Sequence, residues 1–375
     1  WVIAHGNAIL IVFFCTLCIL VYGMTKIQVD LNTRKMLGTR LPHVYDQVHA
    51  GESKIGSMYS YDIMLTFPDE NRIADPAVLN KFDDFTRIIR NQPLIKKTRS
   101  ATDILKEINQ ITHNDDQEFY SIPDDRDIIS SWISIYERGA PDDAKNWYNK
   151  KHTTLRLFVE VSDFSAVEFQ KQIRLINEKI AEFFPDTDYP GLRHDIVGNL
   201  LQISVMNQYV TTGQIMSIVF SLLSIMIMMM IVFGSVKLGL IGMIPNIAPV
   251  IVAGGVMGFM KVPLEFVTMT IAPMVLGLSV DDTIHFTNSA KLEYYRQGNY
   301  TDAVLSSFVA TGKPMTKATI ILCSTFIAFL FSVVNNMINM GIYTVLAMGF
   351  ALLADLLVTP VLIMKVKPFG VPRQQ

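Results

Sequence analysis

At 375 residues, 50% of them hydrophobic and with a mean hydropathy of +0.32, the chain is too apolar for a soluble domain with an ordinary polar surface, so it must meet lipid. A formal charge of −2 leaves neither a basic footprint for nucleic acid nor an acidic face for a cationic partner. The three cysteines, Cys15, Cys18 and Cys323, all sit in apolar runs, so no disulfide frames the long polar segment. The C-x-x-C of the first two reads as small packing residues rather than a redox or metal site. The sequence opens at Trp1 with no basic region before its first apolar run, the expected form of a fragment or processed half rather than of a signal peptide and mature domain.

Apolar stretches able to cross a roughly 30 Å hydrocarbon core fall at about residues 3 to 22, 215 to 233, 238 to 259, 264 to 287, 317 to 335 and 341 to 364. The expected fold is therefore an α-helical membrane protein of six transmembrane helices, one plus five, with an α/β extracytoplasmic domain inserted after the first. Its parts are a first helix (1–23), the inserted extracytoplasmic domain (24–211), a five-helix bundle (212–366) with a cytoplasmic amphipathic loop at 288–316, and a cytoplasmic tail (367–375). Within the insert, Tyr61 to Phe67, Asp75 to Asn91 and Ile95 to Thr98 read strand, helix, strand. Leu155 to Val161, Ser165 to Phe184 and Arg193 to Val197 repeat that order, which predicts two ferredoxin-like β-α-β lobes. Between them Trp132, Tyr136, Trp147 and Tyr148 either line an apolar cleft or pack as core, core packing being the favoured reading.

Where the second apolar helix leaves the bilayer, Met206, Tyr209 and Val210 form an apolar collar, read either as a point of substrate access or as an interfacial anchor. Lys237, Lys291, Arg296, Lys313, Lys317, Lys365, Lys367 and Arg373 all fall in connections on one side of the arrangement, against Lys261 alone on the other. The positive-inside rule makes the basic side cytoplasmic and places the insert outside. In the 288–316 loop, Tyr300, Ala303, Val304, Phe308 and Val309 have the spacing of a short amphipathic helix lying along the membrane surface. Glycines 254, 255, 258, 277, 341 and 349 are expected to let helices approach closely.

The most specific feature is the run GLSVDDTIHF, Gly277 to Phe286, in an otherwise apolar helix. A central ionised residue costs roughly 2.5–3.5 kcal/mol on insertion scales, so such groups face a protein interior and carry ions or protons. Asp281 and Asp282 cannot both ionise freely in low dielectric, which equips the pair to hold and release a proton. His285, one turn beyond Asp281, either joins the pair or meets water at the cytoplasmic interface, and the carboxyls themselves either carry protons or only bridge helices. Counted inward at about 1.5 Å per residue, Asp281 and Asp355 reach similar depths. Ser324 and Thr325 on the fifth helix and Asn246, beside the helix-breaking Pro245, on the third reach the same layer. No second His or Cys stands at ligand spacing, so neither a metal nor a cofactor is expected.

The one-plus-five layout, the paired β-α-β units and GLSVDDTIHF, similar to a G-x-x-x-D-D motif, resemble the resistance-nodulation-division superfamily. The likeness is to its lipid and hydrophobe exporters, of the mycobacterial membrane protein large and hopanoid exporter types, and to the second half of such proteins most closely. That resemblance implies half of a proton-motive-force-driven transporter in a bacterial inner membrane, a secondary active transporter rather than an enzyme. It implies a relay at Asp281 and Asp282; His285 and Asp355 are added from position, not from the motif. The partners implied are a second six-helix half, protons, a lipid or other hydrophobic substrate and a periplasmic carrier, with no nucleic acid. Two other functions fit the same residues: a protein-export accessory of the superfamily, and a sterol- or lipid-sensing receptor.

Overall fold

The computed structural model describes residues 1–30, 32–53, 56–162 and 165–370. Arg373, one of the basic residues assigned to the cytoplasmic side, and the end of the 367–375 tail lie outside them. Most of the chain is helical, with one small antiparallel sheet, and it divides into two compact units, Trp1–Leu41 with Asn207–Gln375 and Pro42–Met206. In chain order, α1 (Gly6–Met24), α2 (Thr33–Leu37) and α3 (Pro42–Glu52) lead to β1 (Tyr59–Thr66), α4 (Pro76–Arg90) and β2 (Ile95–Ser100). There follow α5 (Ala101–Thr112), α6 (Arg126–Gly139), α7 (Pro141–Ala144), β3 (Thr154–Val161), α8 (Ala166–Phe183) and β4 (Arg193–Val197). The remainder is α9 (Asn199–Phe233), α10 (Val236–Phe259), α11 (Ile271–Gln297), α12 (Tyr300–Ser307), α13 (Lys313–Ile327), α14 (Asn335–Leu353) and α15 (Thr359–Val366).

In the Pro42–Met206 unit all six predicted strands and helices are present, but they do not make two lobes. The strands interleave in a single four-stranded sheet of order β2-β3-β1-β4, antiparallel throughout. Each β-α-β crossover leaves room for one strand, and the first strand of the other unit fills it, so β1 and β3 pair along their whole length from Tyr59↔Val161 to Thr66↔Thr154. Alternation decides the buried face: Tyr61, Ile63 and Leu65 of β1 and Leu155, Leu157 and Val159 of β3 are all essentially inaccessible. Helix α4 starts where Asp75 accepts from the Ala77 N–H at 2.9 Å ahead of Pro76, a capping arrangement that favours helix initiation. It buries Val78, Leu79, Phe82, Phe85 and Ile89 and packs beside α8. The aromatics Trp132, Tyr136 and Tyr148 close against Ile104, Leu105 and Ile133 around a void of only about 10 Å3, room for a single water at most, and so pack as core there, while Trp147 and the other side of Tyr148 border an open, partly polar pocket of about 320 Å3 beside Asp62 and Arg156.

Among the described residues five helical segments are long and apolar enough to cross a membrane: Gly6–Met24, Asn199–Phe233, Val236–Phe259, Tyr300–Phe331 and Asn335–Val366. The predicted fourth span, 264 to 287, falls on α11, where Asp281, Asp282 and His285 lower the hydropathy and keep the helix out of that set. Helix α11 begins at Ile271, so residues 260–270 are a connection outside the helix. At its other end it runs to Gln297, and Gly298, at φ 71°, and Asn299, which caps the Thr301 N–H at 3.0 Å, turn the chain directly into α12. The predicted loop at 288–316 is thus mostly helix. Ala303, Val304 and Ser307 of α12 are buried where it packs on α11 and α15, and a π-turn over 308–312 carries it into α13.

Helix α9 turns polar residues inward over its first part and apolar residues outward. On α9 Ser204, Asn207 and Thr211 are buried while Phe220, Ile227 and Ile231 stand exposed, the pattern of a helix whose solvent is hydrocarbon. Helices α1 and α10 cross at glycines: a Cβ on Gly255 would lie 2.5 Å from the Leu20 carbonyl oxygen, and one on Gly258 would collide with that of Gly23. Gly341 likewise sits against the Phe326 carbonyl. Gly277 and Gly349 open onto empty space instead, so the close approach expected of them is not made within this chain.

The boundaries of the predicted 24–211 insert also shift. Leu264 bridges Val29, with its N–H donating to the Gln28 carbonyl at 2.8 Å, and the Asn335 Nδ2 donates to the Lys35 carbonyl at 3.3 Å. These contacts tie the stretch after α1 to the helices.

Candidate functional site

Helix α11 presents its acidic run around its whole circumference, so adjacent residues meet different surroundings. Thr283 is fully buried and donates to Asp355 Oδ1 at 2.6 Å; Thr359 donates to the same oxygen at 3.2 Å. Asp355 is 1% exposed, in a π-turn over 354–358 that joins α14 to α15, the kind of local unwinding that recurs at functional positions. Asn246, also inaccessible, completes the cluster: its Oδ1 lies 3.3 Å from the Thr283 hydroxyl and its Nδ2 donates to the Gly242 carbonyl at 2.7 Å. Pro245 beside it has no N–H to return to the preceding turn. Three helical segments thus supply a sealed polar cluster with one carboxyl at its centre.

Asp281 faces the other way. It is exposed in this chain and pairs with His285, Nε2 to Oδ1 at 3.3 Å, one helical turn on. Asp282 lies between the two, partly buried, with the Thr319 hydroxyl of α13 in reach. The structure therefore brings Asp355 and Asn246 together through Thr283, and Asp281 together with His285. It leaves Ser324 and Thr325 outside both groups: they are exposed, and each donates to the carbonyl four residues back, at 2.7 and 3.2 Å. They lie on an exposed face of α13, and Thr319, buried and beside Asp282, is the residue of that helix that meets the acidic run. Met206, Tyr209 and Val210 project together from α9, all exposed, Tyr209 most.

Thr283 and Thr359, the two donors to Asp355, were not singled out from the sequence. The signal was there in part, since Thr359 stands four residues after Asp355 and shares its helical face.

The MMPL family model matches residues 84–375, the greater part of the chain including α11 and the Asp355 turn. The chain belongs to the MMPL family. It is a multi-pass membrane protein of the resistance-nodulation-division type, as the acidic helix motif and helix layout implied. An MMPL-family match over this range takes in β2, β3 and β4 of the sheet as well as every helix from α9 onward. A protein of Methanocaldococcus jannaschii described as a membrane protein, MJ1562, is 23% identical over 292 residues, which is 78% of this chain and 71% of that one.

Proposed function

We propose that the chain is one half of a proton-driven transporter that moves lipids or other largely apolar molecules across or out of a cytoplasmic membrane. The observation that carries this reading is the split acidic layer, Asp281 with His285 open on one face of α11 and Asp355 sealed on the other, with Asp282 between them. Carboxyls placed in apolar helices are costly and are kept where charge or protons move. At 27 residues and about 1.5 Å each, α11 is long enough to be the sixth crossing helix.

Gly277, Asp281 and His285 lie four residues apart on the exposed face of α11. Against hydrocarbon that stripe would be unsatisfied; against a second six-helix half, in the same polypeptide or another copy, it would be enclosed. Reconstituting the chain with that half in proteoliposomes, with labelled lipid as cargo, should give export that a proton gradient drives and a protonophore stops. Export indifferent to the protonophore would overturn the reading.

The side assigned to the cytoplasm follows the basic residues. Lys237 donates to the Val366 carbonyl at 2.9 Å and Lys291 to the Phe233 carbonyl at 2.7 Å, so basic side chains close two helix C-termini, where the dipole favours them. The α/β unit then stands on the periplasmic side. Gln297→Cys should react with membrane-impermeant maleimide only from the cytoplasm and Asp142→Cys only from outside; reversed labelling would invert the assignment.

The apolar stretch of α9 at Met206, Tyr209 and Val210 is the proposed point of lateral uptake, since a lipid keeps roughly 0.8 kcal/mol for each methylene that stays dry. Changing Met206 and Val210 to aspartate should lower photo-cross-linking of lipid to α9 and lower export together, by several-fold, at equal insertion. Unchanged cross-linking and export would make the stretch an anchor only.

A further inference from the structure

Glu265 lies apart from the acidic layer, in the connection between α10 and α11, and is 1% exposed. The connection is pinned on two sides. Leu264 bridges Val29 and donates to the Gln28 carbonyl at 2.8 Å, while the Met269 N–H donates to the Glu265 carbonyl at 2.8 Å. The Met269 sulfur in turn meets the Thr211 hydroxyl of α9 at 4.0 Å. The Glu265 N–H donates to Thr268 Oγ1 at 2.9 Å, and that hydroxyl is directed at the Pro263 and Glu265 carbonyls, both at 3.2 Å. Polar groups of the connection are thus engaged with one another, yet among the described residues the buried Glu265 Oε2 has no hydrogen-bond partner.

The charged groups on the neighbouring elements are Lys26, held over the Tyr22 and Phe259 rings, Asp30, which follows Val29 and lies 3.8 Å from Lys35, Arg34 and Lys35 of α2, and the exposed Lys261. None of them acts on Glu265; burial alone pushes its carboxyl up to about 7. A carboxylate left there would be buried with no opposite charge to balance it, which is costly, whereas the neutral acid is tolerated. The side chain therefore has two compatible states: protonated and seated, or ionised and turned out to water.

We propose that Glu265 is a proton-binding site, distinct from the Asp281–Asp355 layer, that latches the 260–270 connection onto the Gln28–Val29 segment when protonated and releases it when ionised. On release the carboxylic O–H gives its proton to water and the carboxylate follows it out. That the water is on the extracytoplasmic side rests on the orientation proposed above; the latch does not.

The test is backbone hydrogen exchange of peptides covering 260–270 in the full chain held in lipid nanodiscs, from about pH 5.5 to about pH 8.5, bracketing the raised carboxyl. After the intrinsic pH dependence of exchange is divided out, opening in the wild type should rise by about tenfold, as a group that must lose a proton to open requires. In Glu265→Gln and in Glu265→Met, neutral at every pH, opening should stay flat, and two chemically different replacements guard against one of them misfolding. Equal pH dependence in wild type and both variants, or no rise in the wild type, would overturn the latch. Transport is not read, so a failed proton relay would leave this result standing.

Discussion

Asp281→Asn and Asp282→Asn should each lower gradient-driven export by about a hundredfold or more, the range expected when a positioned proton-transfer group is removed, while insertion and melting stay near wild type. The amide keeps the shape and most hydrogen-bonding reach of the carboxyl and loses only the titrating proton. Folding should tolerate both changes because Asp281 is exposed in this chain and pairs with the equally exposed His285, and Asp282 is only partly buried. The competing account, in which the pair merely bridges helices, makes the opposite forecast, since an asparagine can still accept a hydrogen bond from Thr319 or a partner half. His285→Gln separates the pair's own role from that of its neighbour: if the histidine only meets interfacial water, export survives. Gradient-driven lipid export in proteoliposomes, with protein content and insertion matched, is the measurement. Wild-type export from both aspartate variants would remove the relay.

The parts of this molecule that the sequence made legible are those dictated by local chemistry. Spans announce themselves because a backbone in hydrocarbon must satisfy its own hydrogen bonds over about twenty apolar residues, and the strand-helix-strand orders announce themselves by periodicity. The pairing of β1 with β3 does not, because the partners Thr66 and Thr154 are 88 residues apart and either a shared sheet or two lobes buries the same alternating residues. Depth counting put Asp355, Ser324 and Thr325 at one level, yet only Asp355 joins the buried cluster, for a related reason: depth measures height along a helix and says nothing of rotation about it. The π-turn at 308–312 adds to that error, since one extra residue per turn rotates everything after it by roughly 100°. Glu265 escaped notice because it lay inside what read as the start of a span. Only the observed start of α11 at Ile271 moves it into a connection where its burial becomes anomalous.

Asp355→Asn should lower export by at least about tenfold with little change in stability, and the reason lies in how its neighbours are wired. If Asp355 were only a clamp between α11 and the turn at 354–358, the asparagine Oδ1 would accept from Thr283 and Thr359 as before, and export would persist. If it exchanges protons with the Asp281–Asp282 pair, the amide cannot, and export falls even though the cluster remains closed. Stability is a weak guide here because both donors have fallbacks: the Thr283 hydroxyl already lies 3.4 Å from the Ser279 carbonyl and 3.3 Å from Asn246 Oδ1, and a threonine in a helix can turn to the carbonyl four residues back. Weakening the two hydrogen bonds from charge-assisted to neutral should therefore cost about 1 kcal/mol rather than the larger penalty of an orphaned buried group. Thr283→Val supplies the complementary measurement. It keeps the shape, removes the hydroxyl that links Asp355 to Asn246, and should impair export less than Asp355→Asn if the proton travels by the carboxyl itself. Equal export from wild type and Asp355→Asn, at matched insertion, would make this residue a packing element and leave the relay to α11 alone.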